Sequence, residues 1–163
     1  MCPKNYNEEF PKNTRKILET YYDSIKKDTG LEATFLLNCL LGLIVIVYEK
    51  NKDKLDNIKV SYFSDCLPDS YEYLNGSSIK TRKKEQYKDA KAKSFVKRIR
   101  DGIAHQHITA NSDADENWIS VTIKDFSNEG KNKGKENFVI TISIEQLKRL
   151  AIAISELVPV HEG

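Results

Sequence analysis

The chain has 163 residues, the usual size of one folded domain, and its 39% hydrophobic and 31% charged residues exclude a disordered composition. Its three cysteines lie far apart without a CxxC pair, which argues against a disulfide framework or zinc ribbon and indicates reduced thiols in a cytoplasmic protein. The net charge is only +2, but residues 80–100 hold ten Lys or Arg and two acidic residues, a local +8 that is typical of a polyanion-binding surface or of a solvated helix face.

Two helices are predicted in the first third of the chain. Apolar residues recur at helical spacing within residues 11–30, and Gly30 follows as a stop. A second helix is predicted from about Leu31 to Lys50. Its most apolar part, residues 35–48, is shorter than the roughly 20 residues that a membrane span needs. We therefore expect a buried helix at the centre of a bundle and no membrane insertion.

The middle of the chain is predicted to be a loop followed by a third helix. Residues 51–80 contain Pro68, Gly76 and other turn-forming residues, which favour a loop with a short helical turn. The third helix is predicted over residues 82–104, with lysines on most of its faces. Its narrow apolar stripe is formed by Tyr87, Ala90, Ser94, Phe95, Ile99 and Ile103.

The last third of the chain changes from a helical to an alternating pattern. Residues 117–143 alternate polar with apolar side chains on both sides of a polar, glycine-bearing segment, which predicts a β-hairpin. Ser143 and Gln146 then form the pattern of a capping box at the start of a final helix that ends before Pro159. The elements predict a mainly α fold: a bundle of four to five helices in a single domain over 1–163, with a flexible segment over 1–11 and the hairpin inserted before the last helix.

The stretch SFVKRIRDGIAHQHI, residues 94–108, concentrates the side chains that can carry chemistry. Arg100 and His105 are five positions apart, about 140° around a regular helix, so they do not share one face of it. Gly102 lies between them and is expected to weaken the helix, which would let His105 turn back. An arginine is suited to phosphate oxygens, and a histidine can accept and donate protons at neutral pH. His105 could equally be a capping residue at a helix C-terminus.

Two segments of the chain resemble motifs of the HEPN family. RDGIAH, residues 100–105, resembles its Rx4–6H motif, with Asp101 at a position where that motif prefers a polar residue. LLNCLLGL, residues 36–43, resembles an LNxLLGL pattern in the second helix of a plasmid- and bacteria-associated subgroup. The resemblance covers roughly residues 15–160 in the order of the helices, and it implies a HEPN-like helical bundle.

The resemblance also implies a function and roles for the residues. It implies a metal-independent endoribonuclease without cofactors, acting as a toxin or antiviral effector that can be paired with an antitoxin. Such domains act as homodimers whose motif helices meet, with Arg100 stabilising the phosphate, Asp101 orienting Arg100, and His105 as acid and base. Asn38 is expected either to reach the cleft or to be a core residue. His107 stands where many HEPN toxins carry a tyrosine that becomes modified, so control by that modification is in doubt.

RNA binding is predicted from the basic segment, residues 80–100, and two alternative functions are considered. RNA contacts are expected from Lys88, Lys91, Lys97 and Arg98. The first alternative is a HEPN module that binds RNA or a nucleotide without cutting it. The second is a metal enzyme built on His105 and His107, for which no third ligand at a suitable spacing is visible. His107 is expected either to assist at the phosphate or to be a surface residue.

Overall fold

The computed structural model describes residues 6–20, 22–25, 27–50 and 52–157. The helices are α1 (Tyr6–Thr20), α2 (Tyr22–Ile25), α3 (Thr29–Lys50), α4 (Lys52–Asn57), α5 (Lys84–Tyr87), α6 (Ala92–Ala104) and α7 (Ile144–Ser155), with 3₁₀ turns at Val60–Cys66 and Gly130–Asn132. Residues 6–11, part of the segment expected to be flexible, lie in α1. Residues 1–5 and Pro159 lie outside the described residues.

The strands form one sheet, which contradicts the predicted fold class. They are β1 (Ser70–Asn75), β2 (Ser78–Lys83), β3 (Ile108–Ser112), β4 (Trp118–Phe126) and β5 (Glu136–Ser143). Their order is β2-β1-β5-β4-β3, and every neighbouring pair is antiparallel. The prediction of a mainly helical bundle with a single inserted hairpin was therefore wrong: the protein is a mixed α/β domain, and β4 and β5 are inner strands of a five-stranded sheet.

The β1–β2 hairpin replaces the predicted loop over residues 51–80. Asn75 pairs with Ser78 across a two-residue turn, and Gly76 has a φ of 65°, which glycine adopts without strain. The apolar ring of Tyr71 turns inward, while Ser70 and Glu72 on either side are exposed. This alternation is the signature of a strand with one buried face. The same segment also contains α4, a helix of six residues.

The predicted third helix over residues 82–104 is also wrong in its first half. Residues 82–83 end β2, α5 has a single turn, and α6 begins only at Ala92. The apolar stripe was correct where α6 does exist, since Phe95, Ile99 and Ile103 are buried. The many lysines of this segment follow neither the period of a helix nor that of a strand, so they did not mark the boundary between the two. A charged edge strand such as β2 is one way in which proteins prevent the edges of sheets from pairing.

The core lies between the helices and one face of the sheet. Its buried residues include Leu36, Leu40 and Leu43 of α3, Leu147, Leu150 and Ile154 of α7, and Val121, Ile123, Ile140 and Ile142 of the sheet. The opposite face of the sheet carries polar groups, such as the mutually hydrogen-bonded Thr122 and Thr141. The predicted capping box is confirmed at α7, where Ser143 Oγ accepts from the amide of Gln146 and the Gln146 side chain accepts from the amide of Ser143.

α3 is apolar over most of its surface but only partly buried. By length and composition alone, Gly30–Lys50 would suffice to cross a membrane, and half of that segment is buried inside the protein. Leu40 and Leu43 have no exposed surface, as the predicted core helix requires, whereas Leu31 and Val45 are 62% and 43% exposed. One side of this helix therefore packs in the core, and the other side forms part of the protein surface.

Candidate active site

The motif lies at the C-terminal end of α6, and close packing on β4 fixes its position. A Cβ atom on Gly102 would lie 2.5 Å from Cγ2 of Ile123 and 2.7 Å from the carbonyl oxygen of Lys124. Only glycine lets α6 approach the strand so closely. The expectation that Gly102 loosens the helix was therefore wrong, because α6 continues to Ala104 and Gly102 anchors it to the sheet.

The chain leaves α6 through a regular C-terminal cap. Gln106 has a φ of 58°, its amide donates to the carbonyl of Ile103 at 3.0 Å, and the amide of His107 donates to the carbonyl of Gly102 at 2.9 Å. This pair of hydrogen bonds is the Schellman motif, which satisfies the last carbonyls of a helix. The carbonyl of His107 then accepts from the amide of Lys124, so the chain passes directly into β3 alongside β4.

Arg100 is held by its neighbours on three sides. Its Nε and Nη2 donate to Oδ1 of Asp101 at 2.9 and 2.7 Å, and its Cζ lies 4.9 Å from the centre of the Tyr48 ring of α3. Oε1 of Glu49 lies 4.0 Å from Nη1, and the Arg100 side chain is 26% exposed. The guanidinium therefore has a defined position and remains accessible at the surface.

Asp101 connects two cations at this end of α6. It lies almost completely buried, and its second oxygen, Oδ2, accepts from Nζ of Lys97 at 2.6 Å. Burial by itself raises the pKa of Asp101, but the hydrogen bonds from Lys97 and Arg100 outweigh it and hold that pKa below its ordinary value. Asp101 is therefore ionised at neutral pH, and it has the geometry of a residue that orients Arg100.

The two histidines lie on the surface next to this cluster. His105 is the C-cap residue of α6, and the ring centres of His105 and His107 are 5.9 Å apart. His107 also meets the ring of Phe126 edge-on at 4.6 Å. Among the described residues, no hydrogen bond or ring contact joins Arg100 to His105. Within one chain the two side chains thus have separate surroundings, in line with their predicted separation around the helix.

Asn38 lies on the exposed side of α3, beside the end of α6. It lines a concave surface of about 430 Å³ with Leu41, Ala104 and Gln106, and Trp118 of β4 forms another wall. Asn38 is thus not a buried core residue, and the expectation that it reaches the cleft stays a prediction. This surface brings the two sequence motifs next to each other.

Three of the four cations predicted to contact RNA are in ion pairs. Lys88 pairs with Glu85 at 2.6 Å, Lys97 pairs with Asp101, and Arg98 pairs with the nearly buried Asp125 at 2.8 Å. Lys91 immediately precedes α6 and is exposed, and no carboxylate of the described residues lies within 4.0 Å of it.

The described residues contain no group of three or more His, Cys, Asp or Glu side chains arranged to hold a metal ion. Among these residues, His105 and His107 therefore lack a third metal ligand. Burial raises the pKa of the Cys39 thiol to about 11, so this thiol is neutral at pH 7 and is not suited to act as a nucleophile.

Two sets of aromatic residues near the motif were missed from the sequence. Tyr48 supports Arg100 from α3, and Tyr71 and Tyr73 of β1 line a cavity beside the start of α6. The alternation of SYEYLN was the signal for the second set, since it places both tyrosines on one face of a strand. No pattern in the sequence pointed to Tyr48, whose role depends on how α3 packs against α6.

Comparison with known proteins agrees with the motifs and their positions. No curated protein and no solved structure matches the chain. A family model described as HEPN pEK499 p136 matches residues 1–162. A match over nearly the whole chain shows that this protein belongs to that HEPN family.

Proposed function

We propose that the protein is a metal-independent endoribonuclease that cleaves RNA with Arg100 and His105. The observation that carries the proposal is the Arg100–Asp101 pair: an ionised, nearly buried carboxylate directs a partly exposed guanidinium near the end of α6, the helix whose C-cap residue is the exposed His105. A guanidinium held in advance stabilises developing charge without having to reorganise during the reaction. Membership of a HEPN family supports a function connected with RNA or nucleotides.

The reaction needs only protons and the ribose of the substrate. His105 removes the proton from a 2′-hydroxyl, and the 2′-oxygen attacks the adjacent phosphorus. Arg100 stabilises the charge on the phosphoryl oxygens while the bond from phosphorus to the 5′-oxygen breaks. The leaving oxygen takes a proton from the equivalent histidine of a second subunit. The products are a 2′,3′-cyclic phosphate and a free 5′-hydroxyl, so DNA, which lacks the 2′-hydroxyl, is not a substrate.

The exposed side of α3 supports a homodimer in which two such sites meet. Its residues Leu31, Thr34, Asn38, Leu41, Val45 and Tyr48 are spaced alternately by three and four positions. This is the spacing of the seam between two packed helices, and a polar asparagine within such a seam fixes its register. Arg100 lies over Tyr48 at one end of this stripe, which would place the guanidinium at the edge of the interface. A two-fold pairing through this stripe would combine groups that one chain keeps apart.

The test is cleavage of a mixed-sequence RNA by the wild type and by His105→Ala in the presence of EDTA. We expect the wild type to leave 2′,3′-cyclic phosphate ends and His105→Ala to be slower by about 10² to 10⁴-fold, the usual contribution of general acid–base catalysis. His107→Ala is the matched control, since it changes the neighbouring exposed histidine, and it should keep most of the activity. Folding is compared by circular dichroism.

Three results would contradict the proposal: cleavage that EDTA abolishes, cleavage by folded His105→Ala at the wild-type rate, or a wild type that binds RNA and leaves it intact. The last of these would establish the non-catalytic binding module instead. If cleavage is confirmed, arrest of growth on expression, and its relief by the product of a neighbouring gene, would test the proposed role as a toxin with an antitoxin in the cytoplasm.

A further inference from the structure

A second concave site lies between the start of α6 and the β1–β2 hairpin, and the proposed chemistry does not use it. Its volume is about 190 Å³, and its walls include Tyr71 and Tyr73 of β1, Arg82 of β2, and Lys91 and Arg98 at α6. Pockets for drug-sized ligands are larger, about 300 to 1,000 Å³. The size therefore fits one flat ring, with the rest of the ligand outside.

The aromatic wall is rigid. The Tyr71 ring centre lies 4.8 Å from that of Tyr87, 4.9 Å from that of Phe138 and 5.8 Å from that of Phe95, in edge or tilted contacts. The hydroxyl of Tyr87 donates to the carbonyl of Pro68 at 2.5 Å, and burial raises the pKa of Tyr87 to about 12, so it stays neutral. The wall is thus already ordered before any ligand binds.

Arg82 and Tyr73 form a stacked pair at the opening of this cavity. Cζ of Arg82 lies 4.2 Å from the centre of the Tyr73 ring, and Nη1 of Arg82 donates to the hydroxyl of Tyr71 at 3.4 Å. Both Tyr73 and Arg82 remain partly exposed. Guanidinium planes and aromatic rings are the surfaces on which unstacked nucleobases bind in proteins that recognise single strands.

The charges at this site favour an anion. Arg82, Lys91 and Arg98 line the cavity, and none of the described residues in its walls carries a carboxylate. Arg98 is paired with Asp125, whereas no carboxylate of the described residues lies within 4.0 Å of Arg82 or Lys91. A ligand with one flat ring and a negative charge matches both properties.

The cavity continues toward the motif. A β-bulge leaves Asn137 without a partner on β4, because Asp125 pairs with Phe138 and Phe126 with Glu136. Asn137 and Arg98 line both this cavity and a second depression of about 310 Å³, which reaches Lys97 and Asp101. Asp101 in turn holds Arg100. From Ser94, which both depressions share, to Asp101 is about 10 Å along α6.

We propose that this cavity binds one unstacked nucleobase of a single-stranded RNA whose backbone continues along α6 toward Arg100. Tyr73 and Arg82 stack on the base, and Lys91 and Arg98 contact the phosphates beside it. Duplex RNA keeps its bases stacked and paired, so the site selects single-stranded segments. The link to cleavage rests on the proposed function, whereas the binding of the base does not.

The experiment measures binding in the non-cleaving His105→Ala background. The probes are a fluorescent single-stranded oligoribonucleotide, an abasic oligomer of the same length, the corresponding duplex, and free mononucleotides. Adding Tyr73→Ala should weaken binding of the single strand by about 5- to 150-fold, the equivalent of one lost base stack, and leave the abasic oligomer almost unchanged. Arg82→Ala should weaken both single-stranded probes, because it removes a charge as well as a stacking surface.

Two further variants separate stacking from damage to the fold. Tyr73→Phe keeps the ring and should bind like the parent. Tyr62→Ala removes a tyrosine that is 46% exposed and does not line the cavity, so it should also bind like the parent.

Equal weakening of the intact and abasic oligomers by Tyr73→Ala, or no weakening of either, would overturn the base-binding site. Mononucleotides that bind as tightly as the strand would overturn it in favour of a nucleotide-sensing site. The two proposals can fail separately. If Tyr73→Ala binds RNA as the parent does, the base-binding site is wrong, but cleavage by the wild type is unaffected. If the wild type never cleaves, the ribonuclease proposal is wrong, but tighter binding of the complete strand than of the abasic strand would still support the base-binding site.

Discussion

The two ends of α6 differ in how their cations are paired. At the C-terminal end, Lys97 and Arg100 share the carboxylate of Asp101, and Arg98 is held by Asp125. At the N-terminal end, Lys93 pairs with Asp56 at 2.7 Å, whereas Lys91 is exposed and no carboxylate of the described residues pairs with it. One helix thus has a fixed cluster of charges at one end and free charge at the other.

The paired cations and the free lysine are suited to different tasks: the former to holding a phosphate in position, the latter to raising the affinity for RNA. A cation that neighbouring groups hold in place can stabilise a transition state, because it need not reorganise when charge develops. A free, hydrated lysine attracts phosphate backbones from solution without fixing where they lie, and its effect is sensitive to salt. We therefore expect changes at the C-terminal end to affect cleavage, and changes at the N-terminal end to affect binding.

The largest effect is expected from separating the subunits of the proposed homodimer, since the C-terminal end of α6 is expected to work only as a pair. Val45→Asp places a charge in the exposed stripe of α3 and should convert a dimer to a monomer at tens of micromolar. Cleavage should then fall by about 10²-fold or more, because each site loses its second histidine. Ile79→Asp is the matched control, an equally exposed isoleucine on β2. Sedimentation that shows the same oligomer for both variants would exclude this interface.

Asp101→Asn tests whether the carboxylate positions Arg100. The change keeps the shape of the side chain but removes the charge that holds Arg100 and Lys97, so cleavage should fall by about tenfold, the value of one charged hydrogen bond. RNA binding should be nearly unchanged, because both cations remain. A matching loss in Asn137→Ala, which leaves Asp101 intact, would assign the effect to general disturbance of this surface.

The pH dependence of stability gives Asp101→Asn an independent readout. Because folding lowers the pKa of Asp101, its charged form stabilises the fold at pH values above its unfolded pKa of about 3.9. That contribution is lost as the pH falls through the folded pKa. The free energy of unfolding of the wild type should therefore exceed that of the variant at neutral pH, and the difference should shrink below about pH 4. A difference that does not change with pH would mean that the charge contributes nothing.

Gly102→Ala tests the contact that fixes the C-terminal end on the sheet. In a free helix, alanine is favoured over glycine by about 1 kcal/mol. Here the new methyl group would meet a backbone carbonyl and a buried isoleucine, and overpacking of this kind costs about 1–3 kcal/mol. We expect a net loss in the free energy of unfolding and slower cleavage. Gly30→Ala, whose added Cβ has no neighbour closer than 3.4 Å, should be neutral or stabilising.

The sequence predicted secondary structure correctly where the hydrophobic residues of a segment followed one period, either that of a helix or that of a strand. The capping box at Ser143 was predicted correctly, because local sequence alone determines it. The β1–β2 hairpin was missed although its two turn residues, Gly76 and Ser77, form a pair typical of a tight hairpin turn. The lysines of residues 80–100 concealed the boundary between β2 and α6, since charged side chains are compatible with both an edge strand and a helix.

The site was predictable only as far as local chemistry allowed. The order Arg100, Asp101, His105 suggested candidate residues, whose catalytic roles stay predictions, and the structure places Asp101 against Arg100. The sequence misjudged Gly102, because the strand against which it packs lies far along the chain. It also could not show that Tyr48 supports Arg100 from another helix. Contacts between elements decide these features, and no short pattern records them.

The smallest expected effect concerns the free charge at the N-terminal end. Lys91→Ala should weaken binding to single-stranded RNA and reduce the slope of log affinity against log salt by about one unit, as for one lost phosphate contact. Lys88→Ala is the matched control, because Glu85 already neutralises Lys88 at 2.6 Å and its removal should change the slope less. Neither change should alter the rate of cleavage at saturating RNA, since neither residue is near Arg100. If Lys88→Ala and Lys91→Ala change the slope equally, pairing with a carboxylate does not decide which cations meet RNA, and the contrast between the two ends of α6 would not hold for binding.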